Sequence, residues 1–461
     1  MRNSLKFAAL ALLIAVPAAA QHPETALYDR ALAAGYKAQF LCSGLWNGGK
    51  SKTQIEADEL TGIYPHIAGI VPTLTAEIDE ERHQVRVRYA EDAPPRVAQW
   101  REGLGCAGLP IGADAAAASG IPALRSTTGM DLWDGRPWPM GDAGAIAELP
   151  RNLTRIERVA SEAVLGDDFG GRTSGVVIVH DGRIVAENYM RGHDLHTSQR
   201  TWSVAKSLAG TLVGHGVQRG LIRTDEAADL AAWRSPGDPR AAITVDQLLR
   251  MASGLTSDTA GNRTDAVYMG GASVLESATP WPLLCRPGTC YRYANNDTML
   301  AAIALMERLP ADQRLGFPVE FFRRIGMTRT IAETDWRGDF ILSSQVWTTA
   351  RDLARLGLLY LNDGMWEGER LLPEGWRDYV TRASGPQPDG AFGYGATFWL
   401  MSRSEGVPAD AFAAFGNRGQ YLVMIPSRDL VIVRRGYDTA ENRFDIAAFT
   451  RAVVAALGPD S

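Results

Sequence analysis

Thr201-Trp202-Ser203-Val204-Ala205-Lys206-Ser207-Leu208 is the stretch that decides how this chain reads. If Ser203 opens a helix, Lys206 lies one turn further on, and a spacing of three puts both side chains on one face within touching distance. A serine hydroxyl is a poor nucleophile until a neighbouring base takes its proton. An amine held in a dry cleft can be that base once burial has driven off its own proton. The ordinary alternative for the same residues is a serine N-cap followed by a solvated lysine.

Working outward, a second signal stands at Tyr291-Arg292-Tyr293-Ala294-Asn295, just after Pro287-Gly288-Thr289-Cys290 and before an apolar helix expected from about Thr298. A phenol facing a Ser-Lys pair can take or relay the serine proton, and an amide two residues on can bind a substrate carbonyl or fix the lysine. Taken alone, Tyr293 reads as a packed ring with its hydroxyl at the surface.

Together, Ser203-Val-Ala-Lys206 and Tyr293-Ala-Asn295 resemble the first two boxes of the serine β-lactamase and penicillin-binding superfamily. The branch is the class C-like one, which uses Tyr-x-Asn. The segments Ile243–Leu255, Ala350–Gly357, Asn362–Gly368 and Gly393–Trp399 resemble its 6-aminohexanoate oligomer hydrolase-like members, so the likeness runs from about 150 to 457. It implies a β-lactamase-like α/β fold, with an antiparallel sheet flanked by helices and an inserted all-helical domain. It further implies Ser203 as the acylated nucleophile, Lys206 as base or proton relay, and Tyr293 as the general base that later activates water. Asn295 would touch substrate or organise the lysine.

The third box departs from the pattern. The superfamily carries a Lys/His-Thr/Ser-Gly triplet about eight residues before a Gly-x-Tyr. Here Gly419-Gln420-Tyr421 is present, but the ungapped position holds Ala411-Phe412-Ala413. An oxyanion hole survives this, because it needs only backbone N–H groups: that of Ser203 and one from a strand residue near Ala414 or Gly416. A fixed cation for a substrate carboxylate is lost; Arg418 is the residue that offers a substitute, although it reads first as a solvated turn residue. Ala414-Phe-Gly416-Asn-Arg-Gly419-Gln420 is similar to the aminohexanoate hydrolase-like group, which moves the expectation from β-lactams towards amides or esters. The rival readings are a β-lactamase or D-Ala-D-Ala carboxypeptidase and, from another class, a non-catalytic peptidoglycan-binding or sensor protein.

Strand patterns lie at both ends of the catalytic region. Gly175–His180 and Arg183–Glu187 form a hairpin across Asp181-Gly182. Gly393–Met401 reads as one strand, Gln420–Ile425 and Leu430–Arg435 as a hairpin, and Ile446, Phe449, Val453 and Leu457 mark a last helix. Helices are expected from Asn152 to Leu165 and from Thr244, where Gln247 completes a capping box. Residues from about 205 to 360 read as mostly helical. Residues 21–125 read as a small appended module: a helix over Leu27–Phe40, strands over Ile67–Ile78 and Gln84–Tyr89, and no evident chemistry. The hydrolase domain is then 126–461.

The N-terminus has the marks of a cleaved signal peptide over residues 1–20: Arg2 and Lys6, an apolar core from Phe7 to Val16, then Pro17-Ala18-Ala19-Ala20. A periplasmic or secreted protein follows, without stable membrane insertion. Cys42, Cys106, Cys285 and Cys290 form an even set that suggests two disulfides in such a compartment. Proximity in sequence favours Cys285 with Cys290 and leaves Cys42 with Cys106. No metal or other cofactor is expected: there is no C-x-x-C, no histidine lies near the cysteines, and His193-Asp194-Leu-His196 reads as a polar loop. No histidine follows His215, which excludes a Ser…Asp…His order. A net charge of −6 with no basic stretch argues against nucleic acid and for a small-molecule or peptide-like substrate.

Overall fold

The computed structural model describes residues 23–146, 154–256 and 265–458, and the expected signal peptide lies outside them. A seven-stranded antiparallel sheet runs in the order Gly393–Tyr394, Trp399–Leu400, Phe412–Gly416, Gln420–Ile425, Leu430–Gly436, Thr173–His180, Arg183–Tyr189. Leu430 lies opposite His180 and Val433 opposite Val177, so the last long strand closes on the first. That pairing joins the strand patterns at the two ends of the region into one sheet.

Both faces of the central strands are covered, which explains their continuous apolar runs. Val177, Val179, Val431 and Val433 face a core shared with Leu353 and Leu356 of the helix Ala350–Leu361. Their alternates Val176, Ile178 and Ile432 face Ile156, Phe449 and Val453, from the helices Thr154–Leu165 and Ile446–Leu457. Within this sheet the run Gly393–Met401 is not a single strand. It doubles back at Gly395–Phe398, where the Gly395 N–H donates to the Phe398 carbonyl at 2.8 Å and Thr397 adopts a φ of +65°. This sets Tyr394 opposite Trp399.

Between the sheet segments lie the helices Val204–Gln218 and Asn295–Glu307, the latter starting three residues earlier than expected. The short helix Val245–Leu249 is closed by the Thr244/Gln247 capping box. A small sheet of Gln199–Arg200, Val346–Thr348 and Ile331–Ala332 stitches this region together.

The N-terminal segment begins with the helix Pro23–Trp46, longer than the expected Leu27–Phe40. It packs on an antiparallel sheet of Ala76–Asp79, Gln84–Val87, Arg96–Arg101 and Gly105–Gly108. The run Ile67–Ile78 yields only the first of these strands, because Pro65 and Pro72 start the helical turns Pro65–Ala68 and Val71–Thr73. Cys42 and Cys106 form a disulfide between the helix and the last strand, with Cα atoms 6.1 Å apart. Phe40, Leu41 and Val85 of this segment belong to the same continuous core as Val204 and Leu208 of the Val204–Gln218 helix. Glu333, fully buried, joins the two parts. Its carboxylate accepts from Ser43 Oγ at 2.6 Å, Asn47 Nδ2 at 2.8 Å, Gln39 Nε2 at 3.2 Å and the Cys106 N–H at 3.0 Å.

Candidate active site

Ser203 stands immediately before the helix Val204–Gln218, but its side chain caps nothing. The turn that presents it is tight: Trp202 has a φ of +50°, and the Ala205 N–H already donates to the Trp202 carbonyl at 3.0 Å. A left-handed backbone at a tryptophan stores about 1–3 kcal/mol of strain, held here by surrounding contacts. The Arg200 guanidinium lies 3.7 Å from the centroid of the Trp202 ring, and Tyr64 packs against that ring from another side at 6.4 Å. Trp202 thus lines the cavity and is also core, at 6% exposure.

Lys206 is not solvated: 1% of it is exposed. Its Nζ lies 3.2 Å from Ser203 Oγ, 2.6 Å from Asn295 Oδ1 and 2.9 Å from the Ser343 carbonyl oxygen. Burial, and secondarily the charge of Arg200, lower its pKa to about 7, while Asp297 pulls the other way. A neutral amine has two N–H groups and one lone pair. The two carbonyl acceptors occupy both N–H groups, so the lone pair is left for the serine hydroxyl. The helical spacing of three supplies the Ser-Lys contact, and Asn295, at the start of its own helix, fixes the lysine from across the cleft.

Tyr293 is hydrogen-bonded to Ser203, and burial pushes its phenol well above the usual range. Its ring sits 5.4 Å from Trp399 and 6.0 Å from Tyr394, the pair aligned by the Gly393–Leu400 hairpin, with Lys206 Nζ 5.0 Å from its centroid. The resting tyrosine is therefore a phenol, suited to donating or relaying a proton. Cys285 and Cys290 form a disulfide just upstream. The loop between them and the residues just after it are tied to the chain after the Val245–Leu249 helix, the Gly288 N–H donating to the Ala252 carbonyl and the Arg292 N–H to the Met251 carbonyl, both at 2.8 Å.

On the strand side, Ala414 is fully buried in the core, whereas Gly416 lines the cavity with Phe415 and Asn417. A Cβ at Gly416 would sit 2.2 Å from the Thr201 carbonyl oxygen and 3.3 Å from the Ser203 nitrogen. Glycine is what lets this strand edge close on the serine turn. Of the two residues expected to flank an oxyanion, Gly416 is the one at the site.

Ser203, Tyr293, Asn295, Tyr268, Trp399 and Tyr64 are among the residues lining a cavity of about 390 Å³. Tyr64 and Arg200 were not legible from sequence as site residues. Tyr64 sits in a segment with no motif, far from Ser203 in sequence, and Arg200 precedes the tetrad without a pattern of its own. Arg418 corrects the reading of a solvated turn. It is 6% exposed, and its Nη1 donates to the Asp58 carbonyl at 2.8 Å. The polar loop divides: His193 is buried, 3.2 Å from the Tyr437 hydroxyl, while His196 lies at the surface near Asp134 and Asp142. Those carboxylates are already paired with Arg329, Arg351 and Arg355, so the trio reads as an ion-pair network rather than a metal site.

The Beta-lactamase family model matches residues 167–457, more than half of the chain. An uncharacterised protein of Alkalihalophilus pseudofirmus is 24% identical over 288 residues, 57% of this chain and 82% of that one. Among solved structures, a family VIII carboxylesterase aligns with a TM-score of 0.53 at 17% identity, over 68% of this chain and 99% of its own. A Bacillus anthracis protein assigned as a 6-aminohexanoate-dimer hydrolase aligns at 0.51 and 21%, over 62% and 78%. A penicillin-binding protein homolog from Caulobacter crescentus aligns at 0.51 and 16%, over 67% and 98%. At these identities the three share the fold. Tyr64 and the rest of the N-terminal segment lie outside the family match.

Proposed function

This chain belongs to the Beta-lactamase family, and from that premise we propose that it is an exported serine hydrolase cleaving an amide or ester through an acyl-enzyme on Ser203. The observation that carries the reading is the buried Lys206 amine, 3.2 Å from Ser203 Oγ and donating to Asn295 Oδ1 and the Ser343 carbonyl, so that once neutral it has its lone pair left for Ser203 Oγ. Lys206 takes the Oγ proton as Ser203 attacks the carbonyl. The oxyanion forms against backbone N–H groups of Ser203 and of the strand edge at Gly416. Collapse expels the leaving group, which receives a proton through Tyr293 and Lys206. Water then adds to the acyl-serine while the same pair removes its proton, and breakdown releases the acid and restores Ser203.

The absence of a lysine or histidine at Ala411-Phe412-Ala413 favours linear amides or esters over β-lactams. Two paired disulfides favour an oxidising compartment, in keeping with the leader-like N-terminus. The test is a panel of p-nitrophenyl esters, nitrocefin, a D-Ala-D-Ala peptide and short linear amides against wild type and Ser203→Ala. Turnover of an ester or amide that Ser203→Ala loses supports the assignment. Turnover that survives Ser203→Ala contradicts it, and nitrocefin as the best substrate would move the assignment to a β-lactamase.

A further inference from the structure

Arg200 stands behind both halves of the Ser203–Lys206 pair. It is 1% exposed and lies on the strand Gln199–Arg200, which pairs with Val346–Thr348. Its Nε donates to the Ser344 carbonyl at 3.2 Å and its Nη2 to Ser344 Oγ at 3.0 Å. The residue before, Ser343, carries the carbonyl that accepts from Lys206 Nζ at 2.9 Å. The Arg200 Cζ also lies 3.7 Å from the centroid of the Trp202 ring, and Trp202 is the residue whose left-handed φ presents Ser203. One side chain thus braces the segment that holds the base and the turn that holds the nucleophile.

Arg200 is also a cation without an anion of its own. Among the described residues no carboxylate lies within ion-pair distance of it, and its buried Nη1 has no hydrogen-bond partner. Phe40 of the Pro23–Trp46 helix, 4.7 Å from its Cζ, and Tyr268, 5.4 Å away, add to the aromatic shell around it. The titratable groups that feel its charge are Tyr36, Tyr64 and Glu59 of the N-terminal segment and Lys206 of the Val204–Gln218 helix. Glu59 is bonded to Lys50 at 2.6 Å, and burial pushes both phenols up, Tyr36 to about 12, so they stay neutral. Lys206 is faced in turn by Asp297, which is bonded to Ser253 at 2.8 Å, and by the ring of Tyr293. A guanidinium does not give up its proton in a protein, whereas an ammonium in a dry site does. Of two cations held in one buried space, the lysine is the one that turns neutral.

We propose that Arg200 is a positioning residue of this site: its fixed, unscreened charge keeps Lys206 in the neutral form that can act as base, and its contacts with Ser344 and Trp202 hold Lys206 and Ser203 in register. The inference rests on the reading of Ser203 as nucleophile and Lys206 as its base. It gives the N-terminal segment a part in the site, since Phe40 shuts the guanidinium from water and so preserves its field.

The test separates the charge from the brace through the rate at which a fluorophosphonate probe labels Ser203, followed from about pH 5.5 to about pH 9.5. In wild type the rate should rise through about pH 7. Arg200→Gln removes the charge and keeps a polar group for Ser344. Its limb should move to higher pH by about half a unit or more, which reads as labelling about threefold slower near pH 6 relative to each protein's own plateau. Ser344→Ala keeps the charge and removes one leg of the brace; its limb should stay in place while the plateau falls by about tenfold. A limb that Arg200→Gln leaves unmoved, or moves to lower pH, overturns the proposal, while the labelling itself still supports the hydrolase reading. If Arg200→Gln does not fold, Ser344→Ala decides: a lower plateau with the limb unmoved supports the proposal, and an unchanged plateau overturns it. Absence of any Ser203 adduct counts against the hydrolase reading, and urea unfolding then reads Arg200 without chemistry. The rise in urea midpoint between about pH 6 and about pH 9 should be smaller in Arg200→Gln than in wild type, because Lys206 keeps its proton further up the range. An equal or larger rise sinks the proposal.

Discussion

Replacing Lys206 by Met should change how the stability of this protein depends on pH, by an amount the structure specifies. In the folded chain the buried amine has a pKa of about 7, lowered from 10.5 first by burial and then by Arg200. A base whose folded pKa is depressed carries its full charge penalty below the folded value. The penalty lifts as pH rises towards the unfolded value, because only the unfolded chain still holds the proton. Between about pH 6 and pH 9 the wild type should therefore gain about 3 kcal/mol of stability from this one group, at ~1.4 kcal/mol for each pH unit above the folded value. Methionine is similar in length and has no proton to lose, so Lys206→Met lacks that slope. It leaves Asn295 Oδ1 and the Ser343 carbonyl without a donor, a cost that does not depend on pH. Urea unfolding of both proteins at the two pH values, followed by tryptophan fluorescence, reads the term as a change in their stability difference; Asp297, which burial raises to about 7 and the Lys206 charge lowers, adds to that change in the same direction when the charge is removed. A difference that stays constant to within about 0.5 kcal/mol would show a lysine charged throughout, and the argument for Lys206 as the resting base would fail.

Two further outcomes follow from the same geometry. The acid limb of kcat/KM should rise with pH through about 7 as Lys206 deprotonates; Asp297, buried and bonded to Ser253 at 2.8 Å, supports the charged lysine, so Asp297→Asn should move that limb to lower pH, read from the pH–rate profile of an ester substrate. Glu333→Ala strands the donors from Ser43, Asn47, Gln39 and Cys106 in a buried site and should cost about 3 kcal/mol in urea unfolding, against less than half that for an exposed change such as Glu77→Ala.

What was readable in advance was local. The Ser203/Lys206 contact follows from helical spacing, the Thr244/Gln247 capping box from composition, and the hairpins at Asp181-Gly182 and Pro426–Asp429 from turn residues between apolar runs. Closeness in sequence favours Cys285 with Cys290, and the structure pairs them. The features that escaped depend on contacts between distant segments. The Pro23–Trp46 helix buries residues most of the way round, including Lys37 and Gln39, so no apolar stripe marks its length. Gly393–Met401 has Tyr394 and Thr397–Trp399 as strand formers on either side of Gly395-Ala396, and its reversal at Gly395–Phe398 is fixed by the pairing of Tyr394 with Trp399. Arg418 looks like a turn cation until the Asp58 carbonyl and the Tyr437 ring close over it. Tyr64 reaches the site because the N-terminal segment packs into the catalytic core, a juxtaposition that no periodicity encodes.

The central claim is a covalent one: that Ser203 is the residue acylated during turnover. The most direct test is to treat the intact protein with a fluorophosphonate probe near pH 8 and locate the adduct by peptide mass spectrometry, wild type beside Ser203→Ala. A single adduct on Ser203, absent from Ser203→Ala and blocked by prior incubation with an ester substrate, is the predicted result. Labelling that maps to another serine, or that persists in Ser203→Ala, would contradict the account.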